Sequence, residues 1–141
     1  MENLFVEIVS PSGRVFQGEA SGVKAPGVQG SFEVLRNHAP MISAFEVGLL
    51  RVTMLTGEHI TIATSGGFLE IVNNSVSILA ETAEIGSEID IERAQAAEER
   101  AVKCLAEITD DEERKRYEAA LIRARNRLRI VIGAVGTEKK I

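Results

Sequence analysis

Four side chains in the second half of the chain have the types and spacing to hold an anion. Asp90 and Arg93 stand three apart, and Arg123 and Arg127 four apart, so on helices each pair shares a face. Two arginines at that spacing repel by about 0.2–0.5 kcal/mol unless an anion or a carboxylate lies between them. The planar guanidinium fork suits phosphate and carboxylate oxygens. Brought together, Arg93, Arg123 and Arg127 can surround a polyphosphate while Asp90 accepts a hydrogen bond from an amine or hydroxyl. The plainer reading is a solvated helix face with intrahelical Glu–Arg pairs around Glu118, and spacing alone favours it. Arg123, Arg125, Arg127 and Arg129 alternate along the sequence, which spreads them around a helix and weakens a membrane-surface role.

Other chemistries find less support. His38 and His59 are far apart, one in a turn-rich segment and one in a strand pattern, and with a single cysteine, Cys104, they make no structural metal set. One cysteine also forms no internal disulfide and fits a reducing compartment. It falls in a helical stripe, where a small packed residue is the simpler reading. No Gly-x-Ser-x-Gly elbow supports a Ser-His-Asp triad. Gly66-Gly67 has no downstream Gly-Lys-Ser/Thr and Gly27-Val28-Gln29-Gly30 opens no helix, so neither cradles a nucleotide in a known glycine-rich loop. An enzyme is the least supported class.

The elements that must position these residues come from two unlike halves. Residues 1–87 carry 9 acidic and 4 basic side chains, 10 of the 12 glycines and all three prolines, whereas residues 88–141 carry 12 acidic and 12 basic ones. That shift predicts an all-β domain over 1–87 and a helical domain over 88–141. In the first, Leu4–Val9, Leu50–Met54, His59–Thr64, Phe68–Val72 and Val76–Ala80 read as short strands. They stop at Ser10-Pro11-Ser12-Gly13, Thr56-Gly57, Gly66-Gly67 and Asn73-Asn74. Short strands without intervening helices predict antiparallel neighbours in a sandwich or flattened barrel.

After Ser87 the period changes. Ser87-Glu88-Ile89-Asp90 reads as an N-cap with a carboxylate three residues on, and Thr109-Asp110-Asp111-Glu112 as a second. Ile91, Ala94, Ala97, Ala101, Leu105 and Ile108 form one apolar stripe; Tyr117, Ala120, Leu121, Ala124, Leu128 and Val131 form another, until Gly133 and Gly136 end it. The short link makes the helices antiparallel. Thr137–Ile141 reads as a frayed tail.

At 141 residues, 45% apolar, 26% charged and net −5, the chain falls in the globular class, and its charge argues against nucleic acid as a partner. No apolar run is long enough to span a bilayer, and Met1–Phe5 shows no signal-peptide pattern.

Several stretches together resemble the epsilon-subunit family of F-type ATP synthases. They are Pro26-Gly27 with Gly30, Asn37-His38-Ala39-Pro40, Gly48-Leu49-Leu50-Arg51-Val52, Gly66-Gly67-Phe68-Leu69-Glu70-Ile71, Ile78–Glu84, Ile89–Ala94 and Arg123–Leu128. The resemblance implies a ten-stranded β-sandwich followed by a helical hairpin. It implies a subunit with no catalytic site, no metal and no required cofactor. Such a sandwich clamps the gamma subunit and the rotor ring of c subunits during proton-driven ATP synthesis. The hairpin either folds down or extends along gamma into the alpha/beta catalytic head and blocks ATP hydrolysis. The family's nucleotide motif falls on Ile89, Asp90, Arg93 and Ala94, its second-helix arginines on Arg123 and Arg127, and Glu84 precedes it, which implies a regulatory ATP. Rotor-ring contact falls near Glu33 and His38. The implied location is peripheral, on the cytoplasmic side of a bacterial inner membrane or the stromal side of a thylakoid. The competing expectation is a stand-alone ligand-binding β-sandwich whose helices mediate dimerisation.

Overall fold

Alternation of buried and exposed side chains builds the first unit. In Leu4–Ser10 the residues Leu4, Val6 and Ile8 are fully buried while their neighbours are not, the period of a strand with one face on a core. The computed structural model describes residues 3–139, the segment 132–139 by backbone alone. Its elements are β1 (Leu4–Ser10), β2 (Gly13–Ala20), β3 (Gly22–Gly27), β4 (Gly30–Leu35), β5 (Met41–Thr53), β6 (His59–Val72), β7 (Ser75–Ala80) and β8 (Ala83–Ile85). A 3-10 turn (Gly86–Glu88), α1 (Ile91–Glu107) and α2 (Asp111–Lys139) follow. The chain divides into two units, Met1–Ile85 and Gly86–Ile141.

The strands run in the order β2-β1-β7-β6-β5-β3-β4, with β8 also paired to β6. Neighbours are antiparallel except β1 and β7, which pair in parallel from Phe5 opposite Ser75 to Val9 opposite Leu79. That pair departs from the all-antiparallel expectation. Nearly the whole unit lies between the two strands in sequence, so no tight hairpin dictates their direction. Leu4, Ile8, Leu50, Ile62, Leu69, Ile71 and Ile78 are the largest fully buried side chains, each contributing about 1.5–3 kcal/mol by leaving water.

Among the described residues eight strands stand where the resemblance implied ten, because two of them are long. β5 has 13 residues and β6 has 14. Gly66-Gly67, expected to end a strand, lies inside β6. One edge of β6 pairs with β8 through Ile62–Thr64 and with β7 through Gly67–Val72. β7 and β8 part company at the glycine pair. Gly66 has φ +123°, a region closed to most side chains. A Cβ on Gly67 would run into the Leu79 carbonyl oxygen and come within 2.9 Å of Ala80 Cα.

In the second unit two expected boundaries move. Ser87 falls inside the 3-10 turn, and Asp90 caps α1 instead, its carboxylate accepting a hydrogen bond from the Arg93 amide at 3.2 Å. The second helix begins at Asp111 and runs through Gly133 and Gly136 to Lys139. A helical glycine costs only about 1 kcal/mol relative to alanine, too little to stop a helix when no proline follows. Thr137–Lys139, expected to fray, are helical; Lys140 and Ile141 lie outside the described residues. The link is tied by Arg114, whose Nη2 donates to the Ile108 carbonyl at 3.1 Å, satisfying one of the free acceptors at the α1 C-terminus.

The steric demand at Gly67 is testable against Gly57, which also has positive φ but nothing within 4 Å of its Cβ position. Gly67→Ala is expected to cost about 2–3 kcal/mol by urea denaturation and Gly57→Ala about 1 kcal/mol. Equal costs would show that the β6 pinch is not sterically closed.

Candidate functional site

The motif around Asp90 is first of all a helix start. Ile89 and Ala94 occupy the positions flanking the first turn and are 7% and 0% exposed, the arrangement of a hydrophobic staple. Asp90 between them is the N-cap, with φ −82° and ψ 111°. Three of the four expected motif residues therefore have a structural duty, and Arg93 contributes its amide to the cap. The Arg93 guanidinium is different. It is exposed in the first turn of α1, where the helix dipole disfavours a cation.

An interhelical ion pair joins the helices, Arg125 Nε to Glu98 Oε2 at 3.3 Å. This departs from the intrahelical pairs expected around Glu118. Because antiparallel helices advance equally in opposite directions, that pair places Arg93 level with Ile130. Arg127 is then displaced along the axis by about 4.5 Å and Arg123 by about 10.5 Å, at 1.5 Å per residue. Arg127 is half-buried beside buried Asn126 and Ala124, whereas Arg123 is exposed. The hairpin thus brings Arg127 within one turn of the Arg93 level, while Arg123 sits two turns away. Glu84 lies in β8, half-buried, in the first unit.

Buried Asn126 was outside the apolar stripe read from sequence. It accepts from Arg129 Nη2 at 3.0 Å. A lone polar residue between two arginines gave no periodic signal. Cys104 is half-buried on α1. Among the described residues no group of three or more His, Cys, Asp and Glu could hold a metal ion, and no helix is long and apolar enough to cross a membrane.

The His38 segment is a short loop between β4 and β5, held by a clasp of asparagines. The Asn37 amide donates to Asn74 Oδ1 at 2.6 Å and Asn74 Nδ2 to Asn37 Oδ1 at 3.3 Å. Both residues have positive φ, 65° and 62°, a conformation asparagine tolerates. His38 Nδ1 lies 2.8 Å from the Ala39 carbonyl oxygen. Glu33 is not in this loop. It is an exposed residue of β4 opposite Lys24.

One surface was not singled out from sequence. On the outer face of β1, β7, β6 and β5, Ala44, Phe68, Leu79 and Val9 follow one another across three registers. Phe68 is 58% exposed, Leu79 62%, and Ile42, on the same face, 70%. Phe5 and Val72 are exposed on the same face, beyond the row of Glu70, Ser77 and Glu7. The available signal was the run Leu4-Phe5-Val6, apolar on both sides of a strand that needs only one buried face.

Comparison with known proteins bears on all these features together. Residues 3–86 match the family described as ATP synthase, Delta/Epsilon chain, beta-sandwich domain. Residues 87–131 match its long alpha-helix domain. The ATP synthase epsilon chain of Salinibacter ruber is 53% identical, over 98% of this chain and 98% of the relative. That of a Desulfitobacterium hafniense strain is 47% identical over 84% and 89%. In fold, the chain is similar to one in the mitochondrial ATP synthase of Euglena gracilis, with a TM-score of 0.75 and 21% identity, covering 94% of this chain and 81% of that one. With a sandwich and a helix domain matched in order and identity sustained along nearly its whole length, the chain belongs to the delta/epsilon family of ATP synthase chains.

Proposed function

We propose that this chain is the epsilon subunit of a rotary F-type ATP synthase, a non-catalytic part of the central stalk. In this reading residues 1–87 dock on the gamma subunit and the c-subunit rotor ring. Residues 88–141 act as a brake on ATP hydrolysis by extending toward the alpha/beta head. The observation that carries the docking role is the exposed apolar strip of Ile42, Phe68 and Leu79. Contiguous apolar surface of this kind is stabilised by a protein partner rather than by water. The asparagine-clasped His38 loop, with Glu33 on the neighbouring strand, offers a fixed polar contact to the ring. The subunit is peripheral to the membrane through the complex, on the cytoplasmic side of a bacterial inner membrane.

The regulatory role rests on a switch between two hairpin states, which a ligand shifts only by binding them unequally. ATP is the proposed ligand, with Asp90, Arg93, Arg123 and Arg127 as its polar contacts, Ile89 and Ala94 shaping the turn, and Glu84 on the strand before it. The placement of Arg93 supports this. A cation in the first turn of α1 works against helix stability, and a phosphate offsets that. The axial level of Arg127 supports it further, and Arg123 is the most distant contributor. At ten times its dissociation constant ATP biases the equilibrium by about 1.4 kcal/mol, sufficient for nearly balanced states.

Calorimetric titration of ATP into the full chain is expected to give a saturating heat that Arg127→Ala weakens about ten-fold or more. No heat, or equal curves for both proteins, would remove the nucleotide site. A complex assembled with residues 1–87 alone is expected to keep its composition and hydrolyse ATP several-fold faster. An unchanged rate would contradict the brake, and failed assembly would contradict docking through the sandwich.

A further inference from the structure

Between β3, β4 and β5 lies a hollow of about 180 Å³ lined by Lys24, Pro26, Ser31, Leu49 and Arg51. It forms where the β3–β5 ladder loses register between Lys24 and Gly27. Lys24 and Arg51 are directly opposite across that ladder, so two cations share one position on one face, a pairing that is destabilising by itself. The natural neutraliser is Glu33, opposite Lys24 on β4. Its Oε1 lies instead 3.4 Å from the Cβ position of Gly22, beside the strand end away from the hollow. No ion pair forms to Lys24 or Arg51 among the described residues. The Arg51 Nε is solvent-inaccessible and has no hydrogen-bond partner. A buried charged donor left unmet is costly, and here it belongs to the wall of a hollow that also carries an ammonium and a hydroxyl.

We propose that this hollow binds a phosphate group. Two uncompensated cations match a dianion, and three donors from three different strands suit a tetrahedral oxyanion better than a planar carboxylate. Pro26 and Leu49 form the apolar wall. The site is on the sandwich and is separate from the Asp90 motif; it does not depend on the proposed regulatory role of the hairpin. Free phosphate and the phosphomonoester headgroup of an anionic lipid supply the same chemistry.

The test replaces chloride by inorganic phosphate at constant ionic strength in solutions of the full chain, read by amide nuclear magnetic resonance shifts. The amides of Lys24, Ser31, Leu49 and Arg51 are expected to move together along one saturating curve in the millimolar range. Lys24→Gln and Arg51→Gln are each expected to weaken it about ten-fold or more. Lys24 is exposed, so its variant keeps the test valid should Arg51→Gln disturb the sheet. Vesicles of phosphatidic acid, compared with phosphatidylcholine, separate the sources. Sedimentation of the chain with the former, lost in Lys24→Gln, assigns a lipid headgroup; saturable phosphate binding without sedimentation assigns free phosphate. Shifts that rise linearly without saturating, or curves identical in wild type and Lys24→Gln, would overturn the site. Acetate binding as tightly as phosphate would overturn the dianion assignment.

Discussion

The second unit buries six apolar side chains among its described residues, Ile89, Ala94, Ala101, Ala124, Ile130 and Val131, and half of them are alanines. The first unit buries seventeen, including Leu4, Ile8, Leu50, Ile62, Leu69, Ile71 and Ile78. Since stabilisation by burial scales with apolar area, the difference sets what each part can do. The sandwich holds its shape and presents fixed surfaces. The hairpin, with small contact residues and a partly exposed, weak ion pair between Glu98 and Arg125, has far less apolar burial to stabilise it. The hairpin is therefore expected to open locally at a lower free energy than the sandwich.

Economy of the same kind is visible at the start of α1. Ile89 and Ala94 staple the first turn, and Asp90 caps it. These interactions form within the chain itself, so the first turn of α1 is assembled by its own residues. Arg93 is the residue whose charge the helix does not use. The motif is therefore a local folding signal that also carries one exposed guanidinium.

Much of the architecture was legible because strand and helix periods differ. Leu50–Met54 and His59–Thr64 alternate, and the alanine-rich stripes of α1 and α2 repeat at three and four residues. What was not legible has specific causes. β2 is largely exposed, so Gly13–Ala20 has no buried face to produce alternation. β3 contains Pro26 and ends in Gly27, residues that break a strand pattern; the proline is tolerated where the β3–β5 ladder breaks register. Gly66-Gly67 looked like a stop because glycine usually ends a strand, but here it permits close approach to β7. At the candidate site the residues of the helix start were found from sequence, while their capping and stapling roles required the true first residue of α1. The exposed strip of Ile42, Phe68 and Leu79 was concealed by strands apolar on both faces.

Native-state hydrogen exchange on the full chain addresses the central claim most directly, that a weakly held hairpin is attached to an independently stable sandwich. Amides of β1, β6 and β7 are expected to exchange only through global unfolding. Those of α1 and α2 should open at a free energy lower by about 2 kcal/mol or more. Hairpin amides protected to the same level as the sandwich strands, and lost with them in one cooperative step, would contradict the account.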